Sequence, residues 1–341
     1  MKVLQVGPNS VHVSRFMNAI QSSELQQYLL SESVNTEVKV EEQFVVKVHT
    51  FNPLRIIAFQ KEIKKILQKL QPDLIHIHQV NRMAYFASNI ANSLNIPIVT
   101  TAWGSDVLLM PGKNRFFYFL VKKTIERSAI VTADALEMIT VMQKMVPATH
   151  YELIQYGIDP ISALEKEKTI YSNRLHEPLY RIDQIIRHFY EFKKMNPNWL
   201  LKIGAEGSET ENLKALARDL GIENKVQFLG WLDHEKNKKE YARASIYISI
   251  PESDGTSVSL LEAMSAGCIP VVSDLPSNRE WIQDGKNGVI VQADLNPFES
   301  ALELDIEQLT QINQQLIQEK ATRQASVLKF VSFYQKAIHG K

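Results

Sequence analysis

The sequence predicts an α/β chain built as two doubly wound, mainly parallel sheets in series, and three observations carry that expectation. Short apolar runs rich in Val and Ile, the mark of strands buried on both faces, alternate with longer stretches of helical period. The alternation restarts after a charged stretch, Glu165-Lys166-Glu167-Lys168, that reads as a linker. A chain of 341 residues, 45% apolar and 22% charged, is long enough for two ordinary domains with cores of their own and lies outside the composition of disordered chains.

In the first half, residues 3–6 form a strand that ends in Gly7-Pro8-Asn9-Ser10, with a helix over about 12–20. This is an opening βα unit, and in doubly wound sheets ligands gather at the strand C-termini. Further β-like runs fall at 36–40 and 44–49, before a helix over 53–70 whose Lys61, Lys64, Lys65 and Lys69 read as a solvated face. The strand at 72–78 puts His76 and His78 on one side by its period of two. With no third ligand at metal spacing they read as buried or loop-edge histidines, not as a zinc site. A strand at 96–101 ends in Ala102-Trp103-Gly104-Ser105-Asp106, where Asp106 is either an ionisable site residue or the cap of the next segment. Residues 111–125 place aromatics among Lys113, Arg115, Lys122 and Lys123. They read as a helix packing its rings into the core, with contact to an anionic bilayer as the alternative. A strand at 129–134 and a helix to about Met145 follow, and Tyr156-Gly157-Ile158-Asp159-Pro160 closes the half.

The second half opens with a strand at 169–172, a loop at 173–181 holding Arg174 and Arg181, and a helix from Asp183. Strands at 200–204 and 226–231 flank a helix at 213–220 that Gly221 ends. Residues 246–273 are the most informative. An apolar strand runs into the polar loop Pro251-Glu252-Ser253-Asp254-Gly255-Thr256-Ser257, then a helix over 258–266 stopped by Gly267, then a strand at 269–272. A strand, a polar loop and an exposed helix start make an anion site, because free N–H groups and the positive end of the helix dipole converge there. Asp254 on the loop and Glu262 two turns into the helix bracket that point, so one bound molecule can meet both. Arg174 offers a fork of donors suited to oxyanions. Gln-rich helices over about 305–336 read as solvated.

Composition narrows the function. A formal net charge of zero gives no overall pull toward nucleic acid. The lone Cys268 excludes an internal disulfide and points to a reducing, cytoplasmic compartment. The apolar run at the N-terminus is too short for a signal peptide, and no run approaches the ~20 residues of a membrane span. No Gly-x-Gly-x-x-Gly follows the first strand, which argues against a dinucleotide dehydrogenase.

Asp254-x7-Glu262, followed by Ala263-Met264 and Gly267-x-x-Pro270-Val271-Val272, resembles the Glu-x7-Glu region of the family 4 retaining glycosyltransferases, with Asp for the first Glu. The resemblance extends in register through Tyr156–Pro160, Arg174, the Gly230-Trp231 turn, Ser277–Glu280 and Asp284–Gly288. It implies the GT-B architecture, two Rossmann-like doubly wound domains with an interdomain cleft. The acceptor-side domain would span 1–160, the nucleotide-sugar domain 161–320, and a C-terminal helix at 321–341 would cross back to the first.

By the same resemblance, Arg174, Arg181 and the amides of Val258 and Ser259 take the donor diphosphate, and Asp254, with Gly255, Thr256 and Ser257 around it, meets the sugar. Glu262 holds the ribose, while Gly230 and Trp231 line the base. The acceptor side takes Asn9, Ser10, His78, Trp103, Gly104 and Asp106, and the catalytic group is Asp254, Asp106 and Arg174. Three positions depart from the family pattern. Its Gly-Gly turn is reduced to Gly7 before Asn9-Ser10, its His before Gly104 is Trp103, and its Lys after Arg174 is Leu179 or Tyr180, with Arg181 adjacent.

What this resemblance implies is retaining transfer of a sugar from a nucleoside-diphosphate sugar, UDP-sugar favoured, to a glycan or lipid-linked acceptor in bacterial surface-polysaccharide assembly. No cofactor, metal or nucleic acid is expected, and the place is cytoplasmic or peripheral at the inner membrane face. The alternatives are a nucleotide-sugar-binding protein that has lost catalysis, which Trp103 and the missing Lys would suit, and a nucleotide-sugar epimerase of the same architecture.

Overall fold

The computed structural model describes residues 1–21, 24–48 and 52–340. The chain forms two compact units, Met1–Tyr156 with Arg323–Lys341, and Gly157–Thr322. The first carries seven parallel strands: β1 (Lys2–Val6), β2 (Gln26–Ser31), β3 (Glu42–Val45), β4 (Leu74–His78), β5 (Ile98–Thr101), β6 (Ile130–Ala133) and β7 (His150–Leu153). Their order is β3-β2-β1-β4-β5-β6-β7, so the winding reverses between β1 and β4. The second unit holds β8 (Glu167–Ser172), β9 (Leu200–Gly204), β10 (Val226–Gly230), β11 (Ala244–Ser249), β12 (Ile269–Val272) and β13 (Val289–Ile290). They lie in the order β10-β9-β8-β11-β12-β13, reversing between β8 and β11. Every pairing is parallel, which explains the unbroken apolar runs: β4, β5, β6 and β12 are buried at each residue because helices cover both faces.

Helix Pro53–Leu70 shows how sequence period becomes packing. Asn52 caps it, Pro53 opens it, and Phe59, Ile63, Leu67 and Leu70 make one buried stripe while Lys61, Lys64, Lys65 and Lys69 stay exposed. The helix Arg323–His339 belongs to the first unit. It buries Phe330, Phe333 and Tyr334, with Phe330 edge-on to Phe16 at 4.8 Å. Each ring fully withdrawn from water contributes about 1.5–3 kcal/mol, enough to hold a distant terminus in place. In the second unit helix Ile182–Met195 buries Ile182, Ile185, Ile186, Phe189 and Phe192 on the sheet. Gly267 ends helix Val258–Ser265 at φ 74°, a left-handed turn that side chains resist.

Four expectations need correction. The run at 36–40 is turn and coil, because Asn35 Oδ1 accepts the Glu37 N–H at 2.9 Å and bends the chain; the second strand is instead Gln26–Ser31. The run at 44–49 holds only the end of β3, and His49 lies outside the described residues. The charged stretch at 165–168 is not a linker: Glu167 begins β8, and the Lys166 ammonium donates to the carbonyls of Tyr241, Ala244 and Ala266 at 2.8–3.2 Å. Finally, helix Arg115–Glu126 fills the core with Leu120, Val121, Thr124 and Ile125, but Phe116, Tyr118 and Phe119 point outward, 49%, 42% and 44% exposed. Among the described residues no helix is long and apolar enough to cross a membrane.

Candidate functional site

In the second unit the winding reverses between β8 and β11, and the loops leaving these two strands stand at the sheet's C-terminal edge, where doubly wound sheets commonly hold ligands. The loop after β8 brings in Arg174 and the loop after β11 brings in Asp254 and Ser257. One guanidinium nitrogen donates to Asp254 Oδ2 at 2.7 Å and another to Ser257 Oγ at 2.5 Å. The Arg174 side chain is only 12% exposed and that of Asp254 22%. Burial works against the charged guanidinium, but the adjacent Asp254 carboxylate outweighs it and holds the group firmly protonated. Tyr180, in the slot where the resemblance expects Lys, stacks its ring 4.5 Å from the guanidinium carbon.

The rest of the loop is braced from three sides. Glu252 N–H donates to Leu179 O at 3.0 Å, Ser277 Oγ to Asp254 O at 3.0 Å, and Trp281 Nε1 to Thr256 Oγ1 at 3.2 Å. Ser257 stands at the start of helix Val258–Ser265, yet its side chain makes no capping bond, because its oxygen is taken up by Arg174. The helix-start amides of Val258 and Ser259, which have no intrahelical acceptor, therefore remain directed at the same loop. Glu262, 4% exposed, lies on this helix near a floor of buried tyrosines. Asn173 ties the floor together, donating to Tyr241 Oη at 2.7 Å and accepting from Tyr247 Oη at 3.3 Å. Burial, then the nearby Glu262 charge, raises the Tyr241 hydroxyl well above its ordinary value, and burial pushes Tyr247 up to about 12, so both stay neutral. The tyrosine floor and the three braces were missed by sequence reasoning; Tyr247 sits within an apolar strand run and reads there as plain core.

Arg181 and the Gly230-Trp231 turn lie further out. Arg181 adopts a left-handed conformation (φ 52°) before helix Ile182–Met195 and pairs with the exposed Glu252 at 3.3 Å. Gly230 also has positive φ, and Trp231 is 67% exposed.

In the first unit the corresponding reversal brings together the loops after β1 and β4. Gly7 allows this approach, since a Cβ there would stand 3.0 Å from that of His78. Ser10 caps helix Val11–Ala19 by accepting from Val13 N–H at 3.4 Å, and Asn9 reaches Ser33 Oγ and Val34 O at 3.2 and 3.0 Å. Two of the residues expected on the acceptor side lie inside the unit. His78 is fully buried, with Gln5 and Tyr156 on its two ring nitrogens, and has no surface to offer an acceptor. Asp106, 3% exposed, accepts the N–H of Val80 at 2.7 Å and of Trp103 at 3.0 Å, latching the loop after β4 to the loop after β5. Burial pushes its carboxyl up to about 6 against the pull of those amides. Gly104, at φ 113°, starts the short helix that carries it.

These groups extend into one hydrogen-bonded chain, directed around His78 by what each group there can donate. Trp103 Nε1 donates to Tyr156 Oη at 2.5 Å, Tyr156 to His78 Nδ1 at 3.1 Å, and His78 Nε2 to Gln5 Oε1 at 2.8 Å. Gln5 Nε2 donates to Gln27 at 3.1 Å and reaches Tyr334 at 3.5 Å; the hydroxyls of Tyr334 and Thr101 bond His76 Nδ1 and Nε2, both at 2.7 Å. His78 Nε2 therefore carries a proton. Burial draws His78 down to about 3, and burial with His78 alongside draws His76 well below its ordinary value. Trp103, partly exposed, is the end of the chain that faces solvent. Among the described residues no three His, Cys, Asp or Glu side chains gather as a metal-binding group.

Comparison with known proteins places both units. Residues 159–323 match the family described as Glycosyl transferases group 1, and residues 2–135 that described as Glycosyl transferase 4-like. The chain is 34% identical over 141 residues to an exopolysaccharide phosphotransferase of Streptomyces coelicolor, a match covering 40% of this chain but only 14% of that protein. It is 23% identical over 278 residues to the putative glycosyltransferase EpsD of Bacillus subtilis, covering 74% of this chain and 72% of EpsD. Among solved structures, Anabaena HepE in complex with UDP and glucose superposes with a TM-score of 0.80 at 12% identity, over 98% of this chain and 100% of that one. The two parallel sheets and this likeness give the two-domain Rossmann-like GT-B fold expected from the sequence.

Proposed function

Because the chain belongs to the group 1, family 4-like glycosyltransferases, we propose that it moves a sugar from a nucleoside-diphosphate sugar to a glycan or lipid-linked acceptor. A UDP-sugar is the favoured donor, and transfer proceeds with retention of anomeric configuration and without a metal. The observation that carries this reading is the joint placement of Arg174, Ser257 and Asp254 against the start of helix Val258–Ser265. Such an array suits one task above others, stabilising negative charge that grows on a departing diphosphate. HepE, of the same fold, binds UDP and glucose, which supports the choice of donor.

In the reaction the anomeric C–O bond to the diphosphate breaks, and a new bond forms from the same carbon to an acceptor hydroxyl oxygen. The acceptor proton passes to the departing phosphate oxygen, so no side-chain base is required. Arg174 and the amides of Val258 and Ser259 take the developing charge, and Tyr180 keeps the guanidinium flat against one wall. Asp254 holds Arg174 in line and, shared with the donor, orients the sugar. Glu262, deeper on the helix, takes the ribose. The first unit supplies the acceptor side through Asn9, Ser10, Trp103 and Gly104.

The test is incubation of the full chain with UDP-, GDP- and ADP-sugars, each with glycan and polyprenol-linked acceptors, with and without EDTA. The expected result is release of UDP together with an α-configured product from an α-linked donor, at a rate that EDTA leaves unchanged. Release of an altered nucleotide sugar with no acceptor present would establish the epimerase instead, and binding without turnover would establish a protein that has lost catalysis.

A further inference from the structure

Where β5, β6 and β7 begin, the edge of the first sheet holds a depression of ≈ 430 Å³, within the range of about 300–1,000 Å³ usual for small-molecule sites. Its floor is apolar, made by the buried Ile98 and Ile130 with Pro97 beside them. Its rim is polar and basic. Arg127 comes from the turn between helix Arg115–Glu126 and β6, Lys336 from the last turn of helix Arg323–His339, and Asn92 from the end of helix Arg82–Ser93. All of these residues belong to the first unit.

The two cations are held by rings and not by acids. The Arg127 guanidinium carbon lies 5.0 Å from the centre of the Tyr85 ring, and the Lys336 ammonium 5.6 Å from that of Phe333. Among the described residues neither side chain has a hydrogen-bond or carboxylate partner, and Arg127 Nη1 is buried without an acceptor. A buried donor left unmet is costly, and most such groups in folded proteins find a partner. A ring beneath a guanidinium occupies its face and leaves the fork of N–H groups at its edge, the part that grips an oxyanion. No Asp or Glu stands among the described residues that line the depression. The acids nearest in sequence are engaged elsewhere: Glu126 pairs with Lys122 and Lys123 at 3.8 and 2.7 Å, and Glu152 with His150, a further residue of the wall, at 2.8 Å. The exposed side-chain amide of Asn92, also without a partner among the described residues, adds a neutral donor.

We propose that this depression is a ligand site apart from the donor loop, and that it takes a small phosphomonoester, with the phosphate between Arg127 and Lys336 and the organic body on Pro97 and the apolar floor. A phosphate head carries nearly two negative charges at neutral pH and three acceptor oxygens. One such group meets a guanidinium fork, an ammonium and an amide together, whereas a carboxylate brings one charge and two oxygens. The strands are parallel, so the loops of Ser10 and Trp103 leave the opposite edge of this sheet. The four residues of β5, about 13 Å, separate the floor at Ile98 from the loop that carries Trp103. The phosphomonoester is therefore neither the donor nor the acceptor of sugar transfer, and its binding does not depend on the transferase reading.

The test is titration calorimetry of phenyl phosphate, inorganic phosphate, phenol and succinate into the full chain. Arg174→Ala is the reference, because it removes the other cation that would draw phosphate, and Arg127→Gln, Lys336→Gln and Asn92→Asp are each added to it. The reference should bind one phenyl phosphate, bind inorganic phosphate about tenfold more weakly for want of an apolar body, and ignore phenol. Arg127→Gln should weaken phenyl phosphate about tenfold or more, and Lys336→Gln and Asn92→Asp about fivefold each. Lys336 and Asn92 are exposed, so those two variants should keep the thermal midpoint of the reference, which separates a lost site from a lost fold. Absence of phenyl phosphate binding at millimolar concentration, or equal binding by the reference and all three variants, overturns the site. Succinate bound more tightly than phenyl phosphate, or phenol bound as tightly, overturns the ligand class. Lys336→Gln made in the parent should leave UDP affinity unchanged, and a loss there overturns the separation from the donor loop. A parent that binds no UDP while the reference takes phenyl phosphate loses the donor site alone.

Discussion

Replacing Arg174 by Ala is expected to lower kcat/KM for sugar transfer by about 100- to 1000-fold, the usual cost of removing one well-placed donor from a site where negative charge develops. The expectation follows from geometry. The guanidinium is 12% exposed, sits 2.7 Å from Asp254 and 2.5 Å from Ser257, and is flanked by the Tyr180 ring, so little water can replace it. Its loss also leaves Asp254 without its counter-charge beside the position assigned to the diphosphate, which adds repulsion where attraction is needed. Arg174→Lys keeps the charge and loses the fork, so it should recover part of the rate and not all of it. Steady-state kinetics with saturating acceptor measures the effect, and a variant that transfers at the parent's rate removes Arg174 from the machinery.

Acidification from pH 6.5 to 5 is expected to destabilise the first unit by about 2 kcal/mol. His76 and His78 are held neutral in the folded chain, His78 down to about 3, while in the unfolded chain both titrate near 6.5. Below 6.5 the unfolded state therefore binds more protons than the folded one, and stability falls with pH at a slope that approaches about 1.4 kcal/mol per unit for each histidine. Asp106 acts the other way. Its folded value is raised to about 6, so below 6 the folded state takes up the extra proton and regains about 1 kcal/mol by pH 5. The two histidines outweigh the one carboxyl. Hydrogen exchange of residues 74–78 and 330–334, corrected for intrinsic rates, reads this directly, because Tyr334 is bonded to His76. Protection that stays level or rises as the pH falls from 6.5 to 5 contradicts it.

Much of the fold was legible because a parallel sheet writes itself as apolar runs, and the donor loop because its chemistry is local. Arg174 and Asp254, 80 residues apart, do meet. What escaped was set by distant neighbours. Strand Gln26–Ser31 is masked by its polar letters, yet Gln27 is 3% exposed since it accepts from Gln5 across the sheet and donates to Met17 O. The alternation at 36–40 looks like a strand, but the Asn35 side chain bonds its own backbone and turns the chain first. His78 and Asp106 stand at strand ends where ligands commonly bind. Nothing in the local sequence says that Tyr156 and the loop at Trp103 close over them. For residues 115–126, the sequence gives an amphipathic helix with rings on more than one side; which side faces inward is decided by the elements it meets.

The cradle itself is tested most directly by titration calorimetry of UDP, GDP and ADP into the parent, Arg174→Ala and Glu262→Gln. The parent should bind UDP, and each variant should bind it about tenfold more weakly or worse, as expected when a hydrogen bond involving a charged group is removed. Parent-like affinity in both variants would mean that the nucleotide binds elsewhere and that this pairing of arginine and acids has another purpose.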